Sequence, residues 1–142
     1  MCYLPRHAYN DAPEIATSSR IILQVQIGDL LTEAYVDTNS QYVVCTPDVA
    51  EAIGLDPADA IFEDTIRISG VPVTGKIHGI DFYFLADEDK GESLSLRAFA
   101  FVVDMDAPLF VDELPSSSIG FTGCLESVCF AIDGGRRLFY FG

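Results

Sequence analysis

Ala34-Tyr35-Val36-Asp37-Thr38-Asn39-Ser40 is an apolar run that delivers a carboxylate at its end and then breaks into small polar residues. Such a run reads as a strand, and Asp, Thr, Asn and Ser directly after it read as a tight loop leaving the sheet. Upstream, Ile21, Leu23, Val25 and Ile27 alternate with Ile22, Gln24 and Gln26, which puts an apolar set on one face of an earlier strand. Gly28-Asp29 supplies a turn, and residues 30–36 run back as the second strand. Asp37 is therefore expected on a short loop anchored by a hairpin. By periodicity alone, an Asp in that position is an ordinary turn or cap residue.

Downstream, Tyr42-Val43-Val44-Cys45 reads as a buried strand. Thr46-Pro47 gives an N-cap and a first-turn proline, Val49, Ala50, Ala52 and Ile53 form a short apolar stripe, and Gly54 closes the helix. Residues 64–68, the Ser69-Gly70-Val71 turn and residues 72–85 predict a hairpin, with Gly75 and Gly79 expected at bulges or bends. Residues 86–92 (ADEDKGE) form a charged loop and residues 94–103 another alternating strand. Residues 105–118, with two prolines and three consecutive serines, read as an exposed connection. Ile119-Gly120-Phe121-Thr122-Gly123-Cys124-Leu125 opens the last segment. It leaves room for a short helix around residues 124–127, then a strand through Val128, Phe130 and Ile132, a turn at Asp133-Gly134-Gly135 and a strand over residues 138–141.

Short strands, Gly and Asp turns and one or two small helices predict a mainly β domain, a closed or folded-over barrel. Residues 1–20, with Pro5 and Pro13 and no sustained periodicity, form an N-terminal arm, and residues 21–142 form the domain. At 142 residues, 49% of them apolar, the chain suffices for one domain with a proper core.

The formal net charge of −14 arises from 22 carboxylates against eight Lys and Arg, scattered along the chain. Such a surface repels phosphate backbones and anionic membranes, so neither nucleic acid nor membrane is an expected partner. No stretch approaches a membrane span and the N-terminus has no signal-peptide pattern, so the expected location is cytoplasmic. Cys2, Cys45, Cys124 and Cys129 form no C-x-x-C pair, and His7 and His78 have no ligand spacing; no metal and no cofactor are expected. Cys45 and Cys124 read as small buried hydrophobes.

The order of these segments resembles the retropepsin-like aspartic proteases of the single-domain, homodimeric type. That family has two strands, a hydrophobic residue, D-T-G-[AST], a strand, a short helix ending in G-L, a flap hairpin, and a late hydrophobic-G-x-x-G-x-L segment. Here these stand as Val36-Asp37-Thr38-Asn39-Ser40, Ala52-Ile53-Gly54-Leu55, the hairpin around Gly70, and Ile119-Gly120 through Gly123-Cys124-Leu125, spanning residues 21–142. The resemblance implies an acid-protease-like barrel and a homodimeric aspartic endopeptidase with Asp37 as the catalytic carboxylate. It further implies that Thr38 braces the loops across a two-fold axis, that Ile119 and Gly120 pack behind the loop, and that Ser69, Gly70 and Val71 form a flap over a peptide or protein substrate. The bare dipeptide is weak evidence, since Asp64-Thr65-Ile66 repeats it elsewhere.

One position departs from the pattern: the third motif residue is glycine in the family and Asn39 here. Asparagine tolerates a positive φ better than most residues, but its carboxamide must be housed beside the carboxylates. The resemblance thus carries two functions, an active endopeptidase or a catalytically silent domain that binds peptide or dimerises. A small-ligand β-barrel unrelated to proteases is the third reading. Residues 138–141 are apolar enough to need a partner strand, either in a dimer interface or within the chain.

Overall fold

A computed structural model of the chain describes residues 6–8, 21–68, 70–86, 91–104, 117–136 and 138–142. The predicted flap residue Ser69, most of the charged loop and most of the connection over residues 105–118 lie outside the described residues, as does the arm apart from residues 6–8.

Among the described residues the chain runs β1 (Arg6–Ala8), β2 (Ile22–Ile27), β3 (Leu30–Val36), β4 (Val43–Cys45), α1 (Pro47–Ala52), a 3-10 turn (Pro57–Asp59), β5 (Phe62–Ile68), β6 (Val71–Phe84), β7 (Leu94–Val103), β8 (Ser117–Ile119), a second 3-10 turn (Leu125–Ser127), β9 (Phe130–Asp133) and β10 (Leu138–Phe141). Strands β2, β3, β8, β4, β7 and β6 are hydrogen-bonded in that order, and the end of β6 returns to β2 through Val25↔Phe84, Gln26↔Tyr83 and Ile27↔Phe82. This closes a six-stranded barrel, as the turn-punctuated pattern predicts.

The length of β6 explains the architecture around it. Its second half closes the barrel on β2, and its first half pairs with β5 from Ile68↔Val71 to Phe62↔Ile77. Its pairing with β7 runs without interruption from Gly75↔Val103 to Phe84↔Leu94. Of the bulges or bends expected at Gly75 and Gly79, the continuous register excludes the bulges. Both glycines are positions of close approach: a Cβ on Gly75 would lie 2.6 Å from the Phe101 ring, and one on Gly79 would meet the Arg97 guanidinium at 3.0 Å.

The serines of the expected exposed connection are also corrected. Ser117 and Ser118 are buried in β8, which is wedged between two strands. It runs parallel to β3 (Tyr35↔Ser118, Val36↔Ile119) and antiparallel to β4 (Val44↔Ser118, Cys45↔Ser117). Small side chains suit a strand flanked on both edges inside the barrel wall. Thr46 does occupy the N-cap of α1, and its carbonyl accepts the Ala50 N–H at 3.1 Å, but its hydroxyl makes no capping bond and is buried without a partner among the described residues. Gly54 ends the helix at φ 76°, the left-handed geometry that favours glycine.

Two apolar clusters fill the domain. The larger joins Leu23, Val25, Ile27, Val43, Phe82, Phe84, Ile119, Leu125, Phe139 and Phe141. The smaller holds Ile66, Val73, Ile77, Phe101 and Val103, with Tyr42, Val44 and Ile68 against it. On β2 both Ile22 and Leu23 are buried, so its apolar coverage is wider than strict alternation implies. The terminal strands form a separate sheet ordered β1-β10-β9, so residues 138–141 find their partners within the chain. Phe84 ties this sheet to the barrel, with ring centroids 6.0 Å from Phe139 and 5.4 Å from Phe141. No helix among the described residues is long and apolar enough to cross a membrane.

Candidate active site

The loop after β3 is held by main-chain bonds on both sides. The Asp37 N–H donates to the Ile119 carbonyl at 3.0 Å, continuing the parallel β3–β8 ladder by one step, and the Ser40 N–H closes a turn on the Asp37 carbonyl at 3.1 Å. From the other direction, the Phe121 N–H donates to the Ser40 carbonyl at 2.8 Å and the Gly123 N–H to the Gln41 carbonyl at 2.6 Å. Residues 37–41 are thus laced to residues 119–123, so the two segments the sequence singled out are brought together.

Gly120 is where the lacing is tightest. A Cβ there would collide with the Tyr42 main chain, lying 2.6 Å from its nitrogen and closer still to its carbonyl oxygen. Backbone against backbone leaves nothing flexible to yield, so glycine is required by space rather than by φ. The Leu125 N–H then donates to the Gly120 carbonyl at 3.1 Å and starts the 3-10 turn. The expected short helix around residues 124–127 is this turn, Leu125–Ser127.

Asp37 is half-buried, while Thr38 and Asn39 are exposed. The Asp37 Oδ1 accepts the main-chain N–H of Asn39 at 3.1 Å. The departure at Asn39 therefore leaves the carboxylate its main-chain donor, and the Asn39 carboxamide makes no hydrogen bond among the described residues. The Ser40 hydroxyl lies 3.4 Å from the Tyr42 carbonyl, folding the end of the loop back on itself.

Gly70 and Val71 stand at the tip of the β5–β6 hairpin, Gly70 at φ 80° and Val71 substantially exposed. No hydrogen bond among the described residues joins this tip to the Asp37 loop. The tie runs instead through the hairpin base: the Tyr42 hydroxyl donates to Asp64 Oδ2 at 2.8 Å. Burial, then the bond and the negative charge at Asp64, push the Tyr42 hydroxyl up to about 12, so it remains a donor at any ordinary pH. Sequence reasoning missed this pair, reading Tyr42 as a strand residue and Asp64 as part of a chance repeat of Asp-Thr. The available signal was a tyrosine five residues past Asp37, whose hydroxyl must find a partner once the ring is packed.

Elsewhere, a cleft of about 360 Å³ is lined by Leu55, Asp56, Asp59, His78, Arg97 and Phe99 among others, and holds neither Asp37 nor any expected loop-support or flap residue. His78 is 5% exposed; burial lowers its pKa, with Asp59 and Asp56 raising it and Lys76 lowering it. Among the described residues, no three His, Cys, Asp or Glu side chains cluster as metal ligands.

No family model matches the sequence, and no curated protein matches it. Solved structures do. A retropepsin-like aspartic protease from Rickettsia conorii superposes with a TM-score of 0.60 at 14% identity, over 99% of this chain and 96% of that one. The retroviral protease-like domain of Ddi1 from Leishmania major superposes with a TM-score of 0.51 at 18% identity, over 86% of this chain and 87% of that one. Closed barrel, wedged β8 and near-complete coverage agree: the chain has the retropepsin-like aspartic protease fold.

Proposed function

We propose that this chain is an aspartic endopeptidase acting as a homodimer, each subunit supplying one Asp37 to a shared dyad. The observation that carries the reading is the lacing of the Asp37 loop to residues 119–123, which fixes a half-buried carboxylate on a main-chain scaffold. A reacting group held by its backbone needs no reorganisation when substrate arrives.

Peptide hydrolysis of this kind requires two carboxyl groups sharing one proton. The protonated one polarises the scissile carbonyl, and the ionised one takes a proton from the attacking water; the leaving amine is protonated as the C–N bond breaks. One domain presents one such loop, so the second carboxylate comes from a second copy by two-fold association. In that assembly Thr38 braces the paired loops, Ser40, Ile119 and Gly120 hold each loop in place, and the hairpin tip at Ser69, Gly70 and Val71 covers an extended peptide.

The test is cleavage of an unfolded peptide by a confirmed dimer from about pH 3 to about pH 7. Activity lost on Asp37→Asn and blocked by a statine-type transition-state mimic supports the assignment. A confirmed dimer that binds peptide but cleaves at no pH makes the chain a peptide-binding or dimerisation module instead.

A further inference from the structure

The β5–β6 hairpin leaves the barrel at one definable point. Up to Gly75, β6 is flanked by β7, and one step further the Asp104 N–H still reaches the Thr74 carbonyl at 3.3 Å; beyond that, toward the tip, Val73, Pro72 and Val71 pair only with β5 among the described residues. Asp64 is the direct cross-strand partner of Gly75, so it sits at the root of this two-stranded ribbon. Four residues form a closed circuit there. The Tyr42 hydroxyl bonds Asp64, the Tyr42 ring stacks on Phe101 with centroids 6.1 Å apart, and Phe101 occupies the space that a side chain on Gly75 would need. Tyr42 also belongs to the active-site side, because its main chain packs on Gly120 and lies within reach of the Ser40 hydroxyl.

We infer that Tyr42 and Asp64 form a latch that fixes the root of the hairpin to the Asp37 loop and so sets where the flap stands over bound peptide. Both are positioning residues, and the part concerning bound peptide rests on the proposed peptidase reading. The ribbon has no other side-chain hydrogen bond to the loop among the described residues, so the root bond adds the directional hold to the apolar packing of Ile66 and Val73 against Phe101 and Tyr42. Asp64 is itself oriented, its Oδ1 accepting the Thr65 N–H at 2.8 Å while Oδ2 takes the phenol.

Tyr42→Phe removes the hydroxyl and keeps the ring on Phe101; Asp64→Asn keeps an acceptor without the charge. Hydrogen–deuterium exchange is measured on both in an Asp37→Asn background, so that the readout does not depend on activity. Expected is an increase of about tenfold in exchange at residues 65–68 and 71–74 for Tyr42→Phe, a smaller one for Asp64→Asn, and none at residues 94–103. With Asp37 restored, KM for peptide rises severalfold in Tyr42→Phe while kcat changes less. Unchanged hairpin exchange, or an equal increase across the whole barrel, overturns the latch. Faster hairpin exchange in a protein whose wild type cleaves no peptide upholds the latch and overturns the peptidase reading alone.

Discussion

The main-chain N–H of Asp37 donates to the carbonyl of Ile119 at 3.0 Å, joining the end of an early strand to a strand from the last part of the domain. The bond follows from the insertion of β8 between β3 and β4.

Gly120→Ala places a methyl group against the Tyr42 main chain. Neither partner is a flexible side chain, so the junction must open. Urea unfolding is expected to show a loss of about 2–3 kcal/mol, at the upper end for overpacking. A loss below about 0.5 kcal/mol would mean that the loop relaxes freely around the added atom.

Asn39→Gly retains the main-chain N–H that Asp37 Oδ1 accepts. Because the exposed carboxamide makes no bond among the described residues, kcat/KM is expected to change by no more than about threefold, under 1 kcal/mol of transition-state stabilisation. Steady-state cleavage assays check this. Activity appearing only on the substitution would locate a catalytic defect in the Asn39 side chain and favour the silent-module reading.

His78 sets a stability limit on the acid side. Burial lowers its pKa in the folded chain, so below about pH 6.5 the unfolded chain binds the extra proton more readily. Its contribution to stability is full above that pH and is lost as pH falls toward the lowered folded value. Thermal unfolding followed across this range is expected to show a declining Tm, with a shallower decline in His78→Gln. Peptidase activity favoured by acid would thus peak where the fold is less stable.

Cys45 and Cys124 are buried, and burial pushes both thiols up to about 12. Ser117 opposes the shift at Cys45 only in part. Thiolate is the reactive form, so iodoacetamide near neutral pH is expected to alkylate the exposed Cys129 in the folded protein and to reach Cys45 and Cys124 only on unfolding. Mass mapping after a timed pulse checks the order.

Local elements were legible in the sequence because their signals are local. The alternation around Val25, the Gly28 turn, the helix stop at Gly54 and the loop at Asp37 each rest on neighbouring residues. What escaped depends on distant packing. Gly75 looked like a bulge or bend because glycine in a strand is ambiguous until the Phe101 ring, two residues along β7 from its cross-strand partner Val103, is known to fill its space. Ser116-Ser117-Ser118 looked like an exposed connection because polar composition does not reveal that β3 and β4 will close around the last two. Tyr42 and Asp64 bond across the fold through side chains whose sequence neighbourhoods carry no mutual signal. The late Ile119-Gly120 was the exception: it became readable through family resemblance, and its packing against the Asp37 loop is what the structure contains.

The central claim is that one active site is built from two Asp37 residues on two chains. Mixing wild type with Asp37→Asn at fixed total concentration, with time for subunits to exchange, tests it directly. If both carboxylates are required, activity follows the square of the wild-type fraction, and an equal mixture retains about one quarter of the wild-type rate. Activity falling in simple proportion, to about one half, would mean that each subunit works with its own carboxylate and would contradict the account.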